Sequence, residues 1–103
     1  MKKIPKQIKL AGHWWKIRYD KGLTKRHGKY GQCDYENLVI YIEPSITDTL
    51  KSHTLVHEIV HAISDQFVYA NALSEETVSQ LAVGFWVMLS DLDIELDWTD
   101  IEG

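Results

Sequence analysis

The hydrophobic period of this chain changes at Pro44, and this change constrains the fold more than any other feature. Before Pro44, apolar and polar residues alternate, most clearly in the stretch WWKIRY at 14–19, which is the period of a half-buried strand. After Pro44, apolar residues recur at helical spacing. A length of 103 residues suits one small domain over 1–103. The sequence therefore predicts an α+β fold, with a small antiparallel sheet in residues 1–44 followed by two helices in residues 45–92.

The strands and turns of the first part can be placed approximately. Two short apolar runs flank Ala11-Gly12, which predicts a hairpin with a tight turn. Leu38–Ile42 is the clearest strand, and a turn near Glu36-Asn37 comes before it. The stretch GLTKRHGKYG at 22–31 is polar and punctuated by glycines, so it is predicted to be a loop.

The two helices have capping signals and apolar stripes. The first is predicted at about 47–67, with Ser45 or Thr47 as its cap. The second begins after Ser74 and runs to about Leu92. Its predicted packed stripe consists of Val78, Leu81, Ala82, Phe85, Trp86 and Leu89.

Charge and cysteine content limit the classes of partner. The net charge is −4, with 11 Lys and Arg against 15 Asp and Glu, which argues against nucleic acid because phosphate binding requires a basic surface. Residues 2–29 are basic, and residues 93–103 form an acidic tail that we expect to pack back on the body. The sequence shows no signal peptide and no long apolar run, and Cys33 is its only cysteine. We therefore expect a cytoplasmic protein without a membrane partner, with Cys33 as a half-buried hydrophobe.

The predicted first helix carries two histidines four residues apart in TLVHEIVHAISD, residues 54–65. At this spacing His57 and His61 lie on one face of a helix, and their imidazoles can bind one metal ion at about 2.0–2.1 Å. Glu58 is close enough to reach a metal-bound water, which is the chemistry of the HExxH motif. The flanking residues are apolar, and burying three ionisable groups without a partner would cost several kcal/mol. A bound metal ion provides that partner.

A third protein ligand is expected from the second helix. His53 also lies on this stripe, but it is about 12 Å of helical rise from His61, so we interpret it as an exposed or substrate-side residue. Glu75 lies at the start of the apolar face of the second helix, whereas Glu76 lies at the start of a more polar face. Glu75 is therefore the predicted ligand, and Glu76 remains the alternative.

The stretches TLVHEIVHAI and SEETVSQLAVGFWVML together resemble the small gluzincin-type zinc metallopeptidases, most closely the ImmA/IrrE-type family of phages and mobile elements. The resemblance covers about residues 30–92 and implies a minimal zincin-like domain with one Zn²⁺ per chain. It implies His57, His61 and Glu75 as ligands, Glu58 as general base, and Leu38–Ile42 as the sheet edge that binds extended substrate. In larger relatives a Tyr or His that follows the HExxH motif in the chain stabilises the transition state, and Tyr69 is the nearest candidate in this sequence.

The function expected from these features is hydrolysis of peptide bonds by a zinc-activated water, with Glu58 removing the proton. The substrate would be a peptide or protein, including a specific regulator such as a repressor. The alternative is a non-catalytic zinc-binding module of phage origin that binds other proteins. A small DNA-binding regulator is disfavoured by the negative charge and by the lack of a short helix-turn-helix.

Overall fold

The computed structural model describes residues 1–67 and 73–103, and this part of the chain contains six strands and three helices. In chain order the elements are β1 (Lys2–Lys3), β2 (Gln7–Leu10), β3 (His13–Tyr19), α1 (Leu23–His27), β4 (Gly31–Asp34), β5 (Val39–Ile42), α2 (Asp48–Phe67), α3 (Glu75–Asp91) and β6 (Leu96–Asp97). The predicted α+β class with two main helices is confirmed. None of the helices in these ranges is long and apolar enough to span a lipid bilayer.

Four strands form a mixed sheet in the order β2-β3-β5-β4. The neighbours β2 and β3, and β5 and β4, are antiparallel, but β3 and β5 are parallel. The prediction of a purely antiparallel sheet is therefore wrong. The expected edge position of Leu38–Ile42 is also wrong, because β5 lies inside the sheet and β4 and β2 are its edge strands. Three of the four β5 side chains are buried, which explains why this strand takes a position with neighbours on both sides.

Backbone conformation explains the two hairpin turns. Ala11 and Gly12 have φ values of 51° and 84°, which is the conformation of a two-residue type I′ turn. The turn between β4 and β5 is held by the Asp34 carboxylate, which accepts hydrogen bonds from the backbone N–H groups of Glu36 and Asn37. Leu38 has a φ of 56°, and β5 begins only at the next residue.

The short helix α1 lies where a loop was predicted. Leu23, the first residue of this helix, is fully buried. The Glu43 carboxylate accepts a hydrogen bond from the Thr24 N–H at 3.0 Å. The same carboxylate accepts a hydrogen bond from the Ser45 N–H at 3.2 Å. The Thr24 bond, with those from Ser45, lowers the pKa of Glu43 below its usual value of 4.5. A five-residue helix is too short to show a helical spacing of apolar residues, so the sequence pattern did not predict it.

The core forms where α2 crosses the sheet, and it includes both chain ends. Its buried members are Ile4, Trp15, Ile17, Ile40, Ile42, Leu55, Ala62, Trp98 and Ile101. β1 pairs in parallel with β6, and Trp98 Nε1 donates a hydrogen bond to Ser52 Oγ on α2 at 2.9 Å. Exposed ion pairs join Lys3 to Asp100 and Lys6 to Glu102. The acidic tail therefore meets the chain's own basic segment.

Helix α3 packs chiefly against α2. Val78 and Ala82 are fully buried in this contact. Leu81 and Phe85 were predicted to be packed, but they are 43% and 46% exposed. That part of the prediction is wrong, because a helix with one main neighbour buries a narrower stripe than its apolar pattern suggests.

Candidate metal centre and cleft

Helix α2 presents its two histidines at the margin of its buried face. The helix begins after Thr47, whose Oγ1 accepts a hydrogen bond from the Leu50 N–H at 3.2 Å. Its buried face packs on the sheet through residues such as Leu55. The side chains of His57 and His61 keep about a fifth of their surface exposed, and their Nε2 atoms are 3.1 Å apart. The helical spacing therefore brings both imidazoles to one point near the surface.

The N-terminus of α3 brings Glu75 to the same point. Ser74 caps this helix by accepting a hydrogen bond from the Thr77 N–H at 3.2 Å, which orients the first turn. Glu75 Oε1 lies 2.8 Å from His57 Nε2, and its Oε2 lies 2.7 Å from His61 Nε2. Within the described residues, these are the groups that converge tightly enough to hold a metal ion, and Glu76 is not among them.

The donor set is suited to a transition metal. Two imidazoles and one carboxylate are the protein ligands of many catalytic zinc sites. A tetrahedral ion with bonds of about 2.0–2.1 Å separates its ligand atoms by about 3.3 Å. The three ligand atoms, one from each residue, lie within 4.8 Å of one another, which is close enough for small side-chain rotations to bring them to that separation. His57, His61 and Glu75 therefore form a triad that could bind a metal ion.

Glu58 lies beside the triad but is not part of it. It is 7% exposed, and its Oε2 is 4.0 Å from His57 Nε2. Burial raises the pKa of the Glu58 carboxyl above its usual range, and the adjacent His57 opposes this shift. The Cys33 thiol of β4 donates a hydrogen bond to the Glu58 backbone carbonyl at 3.2 Å. A buried carboxyl is thus held next to the groups that could bind the metal.

Gly31 allows the edge strand to approach α2 at this point. A Cβ atom added to Gly31 would lie 2.6 Å from Thr54 Cγ2 and 2.9 Å from Glu58 Cγ. Any other residue would displace one of these buried side chains. The sequence placed Gly31 in a predicted loop, although a glycine at the start of a strand often marks a position where another part of the chain comes close to the backbone.

These residues line an open cleft of about 370 Å³. Lys29, Tyr30 and Gly31 form the wall on the side of the edge strand. His53 lines the cleft as well, and its ring stacks on Trp86 of α3 with centroids 5.7 Å apart and an interplanar angle of 5°. His53 therefore faces the cleft without joining the triad. Tyr69, the candidate for a transition-state contact, lies outside the described residues.

Comparisons of the chain with protein-family models, with curated proteins and with solved structures find no match.

Proposed function

We propose that this chain is a cytoplasmic zinc-dependent metallopeptidase of the gluzincin type, similar to the ImmA/IrrE-type proteins. One observation carries the proposal: two histidines and a glutamate from two helices converge beside a buried glutamate, in a cleft next to a sheet edge. A purely structural metal site has no use for a buried carboxylate at that position. A hydrolase needs one as a base.

Zinc would be held by His57, His61 and Glu75, which provide the three protein ligands typical of a catalytic site. When bound, zinc polarises a carbonyl oxygen and lowers the pKa of a water toward about 7. Glu75 is mostly exposed, with 69% of its side-chain surface accessible, so the site is reachable from solvent on the side of α3. This opening is where water and substrate would enter.

Glu58 would act as the general base and then as the general acid. It accepts a proton from the attacking water while the water oxygen bonds to the carbonyl carbon of the substrate. The C–N bond then breaks, and Glu58 returns the proton to the leaving nitrogen. Its burial against Gly31 and Thr54 restricts its rotamers and keeps the carboxylate aimed into the cleft.

The substrate is best accommodated as an extended segment along β4. An edge strand leaves one row of backbone N–H and C=O groups unpaired by the sheet, and an extended peptide can add to such an edge through main-chain hydrogen bonds. Gly31 begins β4 beside Glu58, so a peptide on this edge would pass the base and the triad. The expected substrate is therefore an unstructured peptide segment, with a regulator such as a repressor as the candidate from the family resemblance.

The experiment that tests the proposal compares wild type with Glu58→Gln. Metal content is measured by elemental analysis, and cleavage is measured on casein and on a library of unstructured peptides. Because glutamine keeps the shape but cannot accept the proton, cleavage should fall by about 10²–10⁴-fold while zinc content and thermal stability stay near wild type. Glu76→Gln, an exposed carboxylate on α3 outside the triad, is the matched control and should keep full activity.

Two results would contradict this assignment. A Glu58→Gln variant that cleaves as fast as wild type would remove the base from the mechanism. A wild type that binds zinc and cleaves no peptide would favour the non-catalytic zinc-binding module of phage origin.

A further inference from the structure

Helix α3 has a second apolar face that no described residue covers. Leu81, Phe85, Met88 and Leu92 are 43%, 46%, 48% and 62% exposed, respectively. Their positions are i, i+4, i+7 and i+11, so the first three form one stripe along the helix, which Leu92, its C-cap residue, continues. This stripe, called here the α3 stripe, lies beside the narrower face that packs on α2.

The composition of α3 indicates that the α3 stripe is normally covered. The helix has no charged residue between Glu76 and Asp91, whereas the solvent-facing side of a surface helix usually carries charged and polar residues. Gly84 lies next to the stripe, where an added Cβ would meet no atom within 4 Å. A glycine in a helix interior destabilises the helix relative to alanine, and nothing within the described residues approaches closely enough to require it. A helix of a partner chain would make use of that space.

We propose that a second copy of this chain covers the α3 stripe, with the two α3 helices antiparallel about a two-fold axis. One register pairs every large side chain of the stripe. It places Leu81 against Leu92 of the partner subunit, and Phe85 against Met88 of the partner subunit, where the thioether contacts the ring. The stripe is therefore complementary to itself, which a two-fold interface requires.

The exposed area is sufficient for such a dimer. Aromatic side chains bury about 150–250 Å² when fully covered, and Leu and Met are close to the low end of that range, so four side chains that are about half exposed offer roughly 300 Å² per copy. A specific interface at the low end of the size range buries about 500 Å² per copy, of which about 60% is apolar. An uncharged stripe also brings no like-charge repulsion against its own copy, and it offers no ion pair to an acidic or basic partner.

The dimer would leave the cleft open. Leu81, the residue of the stripe nearest the triad, lies about 9 Å along the helix axis from Glu75 and about 120° around it, so the metal triad faces away from the contact. The interface is thus independent of the proposed peptidase activity, and each of the two proposals can fail without the other.

Sedimentation of wild type between about 1 and 100 µM tests the proposal. We expect a concentration-dependent dimer. Met88→Glu should weaken it by at least about 100-fold, because a carboxylate would be buried without a partner. Val87→Glu is the matched control. Val87 is 49% exposed, but it lies about 100° around the helix from Met88 and so outside the α3 stripe. The dimer should therefore persist in this variant. Circular dichroism checks that each variant is folded.

A charge-swap mixture tests the antiparallel register. Phe85→Lys and Met88→Glu should each be monomeric alone. Mixed together they should form a heterodimer, because the register places the introduced lysine opposite the introduced glutamate. A mixture that stays monomeric would overturn that pairing.

The dimer itself is overturned if wild type remains monomeric at about 100 µM, or if Val87→Glu weakens it as much as Met88→Glu. Cosedimentation of a monomeric wild type with phosphatidylcholine vesicles would also overturn it, because a lipid surface would then be the occupant of the stripe.

Discussion

Replacing Gly31 with alanine tests how closely the edge strand lies against α2. The new Cβ would be 2.6 Å from Thr54 Cγ2 and 2.9 Å from Glu58 Cγ, and both of those residues are at least 90% buried. Overpacking of this kind costs about 1–3 kcal/mol, while alanine regains about 0.4–1 kcal/mol by restricting the unfolded chain. We therefore expect Gly31→Ala to lower the free energy of unfolding by about 1–2 kcal/mol. For a domain of this size that is a decrease in Tm of about 4–16 °C.

Thermal and urea unfolding followed by circular dichroism measure this effect. Thr54→Ser removes the Cγ2 atom of the closest contact, so the double variant should lose less stability than the two single variants together, by about 1 kcal/mol. Gly84→Ala, measured at a concentration at which the chain is monomeric, is the control, because its Cβ would enter open space within the chain and should raise stability by about 0.5–1 kcal/mol. A Gly31→Ala variant that unfolds like wild type, with no coupling to Thr54→Ser, would refute the close approach of β4 to α2.

Three further variants test other parts of the structure. Glu75→Gln should weaken zinc retention by more than about 10-fold in competition with a chelator, whereas Glu76→Gln should leave it unchanged; the reverse order would transfer the ligand role to Glu76. Trp98→Ala should lower the free energy of unfolding in urea by about 3–5 kcal/mol, because Trp98 joins the tail to the core; a loss below about 1 kcal/mol would mean that the tail is not docked. The lowered pKa of Glu43 implies stability that is present above its usual pKa of 4.5 and is lost as the pH falls through the lower folded value. Glu43→Gln should therefore flatten the acid limb of a Tm–pH profile, and a limb as steep as that of wild type would contradict its hydrogen bonds to Thr24 and Ser45.

Several features follow from the sequence because they depend on residues close together in the chain. Four residues make slightly more than one helical turn, so any helix through residues 57–61 places His57 and His61 on one face. The turn at Ala11-Gly12 follows in the same way, since it depends on the φ values that two adjacent residues can adopt. In each case the interacting groups are separated by one turn of chain, and no distant partner affects the outcome.

Other features required the tertiary structure, because an apolar pattern shows which residues avoid water but not which neighbour covers them. The parallel pairing of β3 with β5, and the edge position of β4, depend on how distant segments compete for places in the sheet. The choice of Glu75 over Glu76 in the triad depends on the rotation of α3 against α2, which is set by the packing of Val78 and Ala82. The same rotation leaves the α3 stripe exposed. The sequence alone placed His57, Glu58 and His61 next to one another on one helix, and the packing of the whole chain decided which glutamate and which strand lie beside them.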